Sequence, residues 1–258
     1  MTRSACTRGL FGERRTHLCL AVRVTSAASV TAGTVPNQGT GAGSTPSAAL
    51  HDIQVKPVPI SVAKQIVERH HYLRSLPGGT HLAFGAFGGS RLLGVLTLGA
   101  GPFNAASLVD GAGAGDCLTL TRLWLSDYLP PNSESRVVSI VMRSLRKHTY
   151  VRFVLSYADP AHGHVGTIYQ ACGWLYTGLS EAMPLYDVGD GIARHSRSLA
   201  HSFGSHSIRH FADHGVEVKL IPQLPKHRYL RFLDASWRGR LHIAVLPYPK
   251  KGQTDGTD

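Results

Sequence analysis

SYADPAHGHVGTIYQACGWLYTG, residues 156–178, holds the sharpest structural signal in the chain. A β-rich run, VRFVLSYAD, ends at Asp159-Pro160, and a short loop leads into a short helix over HVGTIYQACG. That helix carries Tyr169 five residues before Trp174, and the next strand, WLYTGLSEAM, starts at once. Strands joined through a helix imply right-handed crossovers and at least partly parallel pairing.

Upstream, Asn132 or Ser133 caps a helix running to about His148, with Val137, Ile140, Val141, Met142 and Leu145 as its apolar stripe. LTLTRLWLSD alternates as a strand, behind the Gly-rich connection PFNAASLVDGAGAGD. HLAFGAFGGSRLLGVLTLGAG places two apolar runs around Gly88-Gly89-Ser90, the pattern of a β-hairpin. Ser61 is expected to cap a helix over SVAKQIVERHHYL, and Ile53–Val58 reads as a short strand closed by prolines. The order is strand, helix, hairpin, strand, helix, strand, helix, strand. It predicts an α/β (α+β) domain of three layers around a mixed sheet.

Composition narrows the function classes. With 258 residues and 43% hydrophobic residues, the chain can bury a core, so wholesale disorder is excluded. No apolar run approaches the roughly 18 residues of a membrane helix. The four cysteines, Cys6, Cys19, Cys117 and Cys172, form no CxxC pair, which argues against a disulfide framework and for a reducing, cytoplasmic setting. The formal charge of +11 favours a polyanionic partner, nucleic acid first.

Four segments are expected. Residues 1–50 carry Arg3, Arg8, Arg14, Arg15 and Arg23 against Glu13, then dissolve into Gly, Ser, Thr, Ala and Pro, the composition of a flexible arm. A secretory signal is disfavoured, because Leu18–Val22 is shorter than the usual roughly 7–15 apolar residues. Residues 51–185 form the core, 186–250 a basic extension packed on it, and 251–258 a disordered tail. Residues 191–250 hold ten Lys/Arg against Asp213, Glu217 and Asp234, with Tyr229, Phe232 and Trp237 interleaved. Cations among aromatics suit phosphate contact and base stacking; the bland alternative is a solvated surface. Arg194, Arg197, Lys226, Arg228 and Arg231 are the DNA-binding candidates.

The Tyr169, Gly173, Trp174 pattern resembles the end of the GNAT (Gcn5-related N-acyltransferase) fold, in which two parallel strands splay apart around an acyl-thioester. The order of elements matches that fold from about residue 53 to 180. The family's pyrophosphate loop is missing, and Pro131-Asn132-Ser133-Glu134-Ser135-Arg136 stands in its place. The helix start still offers N–H groups to an anion, with Ser133, Ser135 and Arg136 to assist; the other reading is a plain N-cap. This makes Ser135 and Arg136 the cofactor-binding candidates, with conventional coenzyme A binding in question.

A narrower resemblance covers roughly residues 60–245. LTRLWLSDYLPPNSESRVVSIVMRSLRKH, SYADPAHGHVGTIYQACGW and HSRSL with the basic tail look like the Mom family of phage DNA-modification proteins. The resemblance implies conversion of adenine in duplex DNA to N6-(methylcarbamoyl)adenine, which hides phage DNA from host restriction nucleases. It places the family's functional residues on Arg122, Ser133 and Ser135, Asp159 and Tyr169, and it brings a proposed iron requirement of relatives with it.

The residues fit such roles, each beside a plainer reading. Adenine N6 is a poor nucleophile, so transfer onto it needs an acceptor polarising N–H and an electrophile held close. Asp159 ends a strand where open α/β sheets put ligands, or it caps the turn before Pro160. Tyr169 protonates a leaving group, or it is a core aromatic. Arg122, in an apolar strand, pairs with a carboxylate or faces the cleft. A base in duplex DNA must be flipped out to be reached, and Tyr72 or Tyr128 could clamp it. His162 and His164, with Asp159, make a 2-His-1-carboxylate candidate for iron, and His70-His71 is a second pair. Two other functions stay open: an acyl-CoA-dependent N-acyltransferase acting on a small molecule or protein, and a nucleic-acid-binding protein without catalysis.

Overall fold

The computed structural model describes residues 52–205 and 207–250, with the side chains of Arg197 and His201 outside what is described. The expected arm (1–50) and tail (251–258) lie outside the described residues.

Strand β1 (Ile53–Pro57) leads to helix α1 (Ile60–His70), hairpin strands β2 (Thr80–Gly88) and β3 (Arg91–Gly99), and β4 (Cys117–Leu125). Helix α2 (Ser133–His148), β5 (Phe153–Ala158), α3 (Thr167–Ala171) and β6 (Leu175–Leu179) follow. The chain then forms β7 (Leu185–Asp187), α4 (Ser196–Phe203), α5 (Ile208–Asp213), β8 (Lys219–Ile221) and β9 (His227–Phe232). Seven strands make one sheet in the order β1-β2-β3-β4-β5-β9-β6, and β7 pairs with β8 separately.

Among the described strands only β4 and β5 run parallel, and they pair only over Cys117–Leu120 with Phe153–Ser156. Beyond that point β4 stays with β3, and β5 stays with β9. The sheet therefore opens between its two central strands, and this opening is the frame of the site. Helix α1 covers one face through Ala63, Ile66 and Val67 against Ala83, Phe87 and Val95. Helices α2 and α3 cover the other, with Val137, Val138, Val141 and Leu145 packed among Leu96, Leu98, Leu118 and Val154. The mixed, splayed, three-layer α/β (α+β) architecture expected from the sequence is the one observed.

Three details differ from expectation. The basic C-terminal stretch does not merely pack on a finished core, because β9 inserts between β5 and β6 and is itself central. Its alternation puts Tyr229 and Leu230 fully inside on opposite faces. Ser61 does not cap α1; the helix starts one residue earlier, with the Pro59 carbonyl accepting from Val62 and Ala63. Asn132 precedes α2 with a left-handed backbone (φ 69°) and no side-chain cap, a conformation that asparagine tolerates better than most residues.

Candidate active site at the opening between β4 and β5

The position of Arg122 depends on a bulge. Leu118 and Leu120 pack on the α2 side of the sheet, and so does Leu123, whereas Trp124 packs on the α1 side. Strict alternation cannot give that parity. The register slips where Leu98 faces Leu120 and Thr97 faces Arg122, leaving Thr121 as the extra residue. The slip turns Arg122 toward the loop after α1, where its Nε donates to Ser75 O at 2.8 Å and its Nη1 to Thr121 O at 2.7 Å. Arg74 just before Ser75 has φ 47°, and this left-handed step belongs to the same loop. No carboxylate pairs with Arg122 among the described residues. Burial lowers its pKa, with Tyr72 opposing.

His71 closes α1, its N–H bonded to Val67 O, and is 6% exposed. Its Nδ1 accepts from Leu73 N at 3.1 Å. Burial first, then the charges of Arg122, His164 and His162, push its pKa down to about 4, so the ring is neutral at physiological pH. The half-exposed Tyr72 ring stacks on His71 at 4.4 Å and lies tilted against His162 at 4.3 Å. Burial and Asp159 raise its pKa, while Arg122 lowers it.

Across the opening, Asp159 does both things its position suggested. Its carboxylate accepts from Ala161 N at 3.0 Å, capping the turn, and meets Lys226 Nζ at 2.8 Å. Burial works to raise its pKa, but Lys226, the Ala161 N–H and His162 together hold it below the ordinary value. Asp159 is therefore an ionised acceptor rather than a strong base. Tyr169 is buried, with ring centroids 5.2 Å from Trp174 and 5.4 Å from Tyr229. Burial drives its pKa up to about 12, against the Ser156 hydroxyl, so Tyr169 enters any neutral-pH reaction as a protonated hydroxyl. The loop before α3 is held by Gly166 (φ 80°): a Cβ there would lie 2.2 Å from the Tyr229 ring. Tyr229 in turn donates to Val165 O and accepts from Gln170 Nε2 at 2.9 Å. The inserted strand thus fixes the loop that carries Tyr169.

Several expected roles are corrected by the geometry. Ser133 is 1% exposed, with its hydroxyl spent on Pro130 O, so it does not face the opening as a catalytic group. Ser135 Oγ bonds Asn132 O, yet Ser135 and Arg136 do line a recess of about 260 Å³ together with Asn132, Ser139, Arg143 and Ala171. His162 and His164 do not form a ligand set with Asp159. Both lie against Tyr72, their centroids are 6.4 Å apart, and the Asp159 carboxylate is taken by Lys226. No group of three or more His, Cys, Asp or Glu able to hold a metal occurs among the described residues, and the expected iron is not carried further.

The DNA-binding candidates are engaged locally. Lys226 is on Asp159; Arg228 donates to Thr177 Oγ1 and O at 3.0 and 2.9 Å. Arg231 donates to Gly173 O at 3.2 Å at the end of α3, and Arg194 grips Asp190 with both Nη atoms. The Arg197 side chain lies outside the described residues. Sequence reasoning gave His71 no role in the transfer chemistry; its one signal was its place in the HHYL run ending α1. Among the described residues no helix is long and apolar enough to cross a membrane.

A mixed sheet splayed between its two central strands thus carries a neutral imidazole and an arginine with no acid among the described residues on one side of the opening, and a buried tyrosine on the other. The chain belongs to the Mom protein family, whose model matches residues 52–250. It is 29% identical to the methylcarbamoylase Mom of Escherichia phage Mu, over 77% of this chain and 84% of that one. Among solved structures, Arabidopsis thaliana NAA60 in complex with acetyl-CoA aligns at 12% identity and a TM-score of 0.42, covering 70% of this chain and 98% of that one. FeeM, an N-acyl amino acid synthase from uncultured soil microbes, aligns at 13% identity and a TM-score of 0.42, covering 74% and 95%.

Proposed function

We propose that this protein modifies DNA, transferring a methylcarbamoyl group to adenine N6 in duplex DNA and so protecting phage DNA from host restriction. The observation that carries the reading is Arg122: a half-buried guanidinium without a carboxylate, at the sheet opening of a Mom-family chain. A cation desolvated without an acid is costly, and an anionic or strongly dipolar ligand would offset that cost. The name of the phage Mu relative, methylcarbamoylase, points to the transferred group.

In this reading the flipped adenine stacks on the half-exposed Tyr72 ring, since extrusion is the only route from a duplex to a recessed site. Asp159, ionised beside Lys226, accepts from the N6 amine and orients it. The Tyr169 hydroxyl protonates the departing group. The chain's +11 charge supports duplex DNA as the partner through phosphate contacts.

An acyl-CoA-type donor is the cofactor class the chain's residues fit best. Arg136 and Arg143, with Ser135 and Ser139, line the recess beside α3 and would hold its phosphates. The same recess favours a second reading, an acyl-CoA-dependent N-acyltransferase acting on a small molecule or protein.

The test is mass spectrometry of nucleosides from plasmid DNA after expression of the wild type and of Tyr169→Phe. A deoxyadenosine adduct of methylcarbamoyl mass, reduced roughly 10²–10⁴-fold in the variant as for loss of a general acid, is the expected result. Unmodified DNA from soluble wild-type protein would replace this reading with the second one.

A further inference from the structure

We propose that His71 is a catalytic hydrogen-bond donor that holds, together with Arg122, the carbonyl oxygen of the group being transferred. The proposal rests on the DNA-modification reading above and assigns it an electrophilic site.

The backbone decides the tautomer. Leu73 N–H points at His71 Nδ1 at 3.1 Å, and an amide N–H can only donate. Nδ1 must therefore be the unprotonated nitrogen, and the ring's proton sits on Nε2. An imidazolium would set an N–H against the Leu73 N–H while facing the Arg122 charge, so neither contact favours it. With Nδ1 occupied and Nε2 protonated, His71 has no free lone pair and is not a general base. It has one donor to offer, on a ring held in plane by the stacked Tyr72 at 4.4 Å.

Arg122 complements it. Its Nε and one Nη1 hydrogen are spent on Ser75 O and Thr121 O, which fixes the guanidinium plane. The remaining hydrogens have no acid to meet among the described residues, and a guanidinium carries five in all. A neutral donor and a cation near enough for the Arg122 charge to act on the His71 ring, both held by backbone bonds, suit an oxygen that gains negative charge during reaction.

The step they serve balances as follows. The adenine N6 lone pair adds to the carbonyl carbon of a methylcarbamoyl group carried as a thioester. The C=O π pair moves onto the oxygen held by His71 Nε2–H and Arg122. The oxygen returns its pair, and the bond to the leaving group breaks with its electrons on that group. The N6 proton ends on the leaving group, giving N6-(methylcarbamoyl)adenine and a free thiol.

The experiment compares His71→Phe, which keeps a stacking ring without a donor, with His71→Gln, whose Nε2 donates at similar reach. Early-time adenine adduct on plasmid DNA is read by mass spectrometry, with thermal melts confirming folded protein. The expected result is a loss of roughly 10²–10³-fold in the Phe variant, the usual cost of one such donor, with most of that loss recovered by Gln. Nitrogen-15 NMR of wild-type His71 at pH 7 must show a neutral ring protonated at Nε2. An active Phe variant beside active wild type, or a ring protonated at Nδ1 or at both nitrogens, overturns the donor role and leaves the function intact. A wild type that makes no adduct overturns the function and this role with it.

Discussion

Arg122 and Lys226 stand on opposite sides of one opening, and their circumstances are opposite too. Lys226 meets the Asp159 carboxylate at 2.8 Å, in a pair whose other hydrogen bonds anchor the turn after β5. Arg122 is held by two backbone carbonyls and has no acid among the described residues. The side that carries Lys226 belongs to the chain's basic stretch, where several cations are held by neighbouring groups: Arg228 on Thr177, Arg231 on Gly173, Arg194 on Asp190. The strand that carries Arg122 is apolar, yet its cation meets no acid among the described residues. Charge along a sequence measures attraction at a distance.

The sharpest way to break this contrast is Arg122→Met. If the acid-free arginine serves chemistry, adduct formation falls by roughly 10²–10³-fold, while the melting temperature drops by only a few degrees. Nucleoside mass spectrometry beside a thermal melt reads both, and a folded variant of undiminished activity would move the chemistry elsewhere.

The Arg122 side also predicts a pH dependence. His71 titrates at about 4 in the fold and near 6.5 when unfolded. Above pH 6.5 the ring is neutral in both states and contributes no pH dependence. Between 6.5 and 4 the unfolded chain takes up a proton that the fold refuses, so stability falls as pH falls, by on the order of 3 kcal/mol over the window. The groups that hold the ring neutral are its burial, Arg122, His164 and His162. Asp159 acts in the same direction but lower down, where its depressed carboxylate starts to be protonated. Urea midpoints at pH 7 and pH 5 should differ in the wild type and differ less in His71→Gln, where His70, also lowered by burial, still contributes; equal slopes in both would remove His71 from the account.

The smallest effect belongs to the paired side. Lys226→Met leaves Asp159 ionised in a partly buried place and should cost about 1–3 kcal/mol, below the figure for a fully buried pair because both groups keep some solvent. Adding Asp159→Asn should recover much of that stability without recovering activity. If the double variant is no more stable than the single one, the ion pair is not what holds the turn.

The elements were legible because each is a local pattern. The apolar stripe of α2, the Gly88–Ser90 turn and the strand–loop–helix around Asp159 each lie within a few residues of their cause. The insertion of β9 was not legible. His227–Phe232 reads as a cationic tail with aromatics, and only its pairing with β5 and β6 shows that Tyr229 closes on Gly166 and steadies the Tyr169 loop. The site divided along the same line. Arg122 was visible as a cation out of place in an apolar strand, and Asp159 as the end of β5. Ser133 misled, because a hydroxyl at a helix start does not announce whether it faces a ligand or the preceding turn.

From the sequence alone came the three-layer mixed architecture, the order of most elements, the net positive charge and the family. Periodicity, turn chemistry and net charge are properties of neighbouring residues or of the whole chain, and folding does not alter them. The tertiary structure alone decided which cations stay unmatched, which nitrogen of His71 carries its proton, and that β9 completes the sheet. Each of these depends on groups brought together through space, where burial and hydrogen bonding set the charge and the direction of every donor.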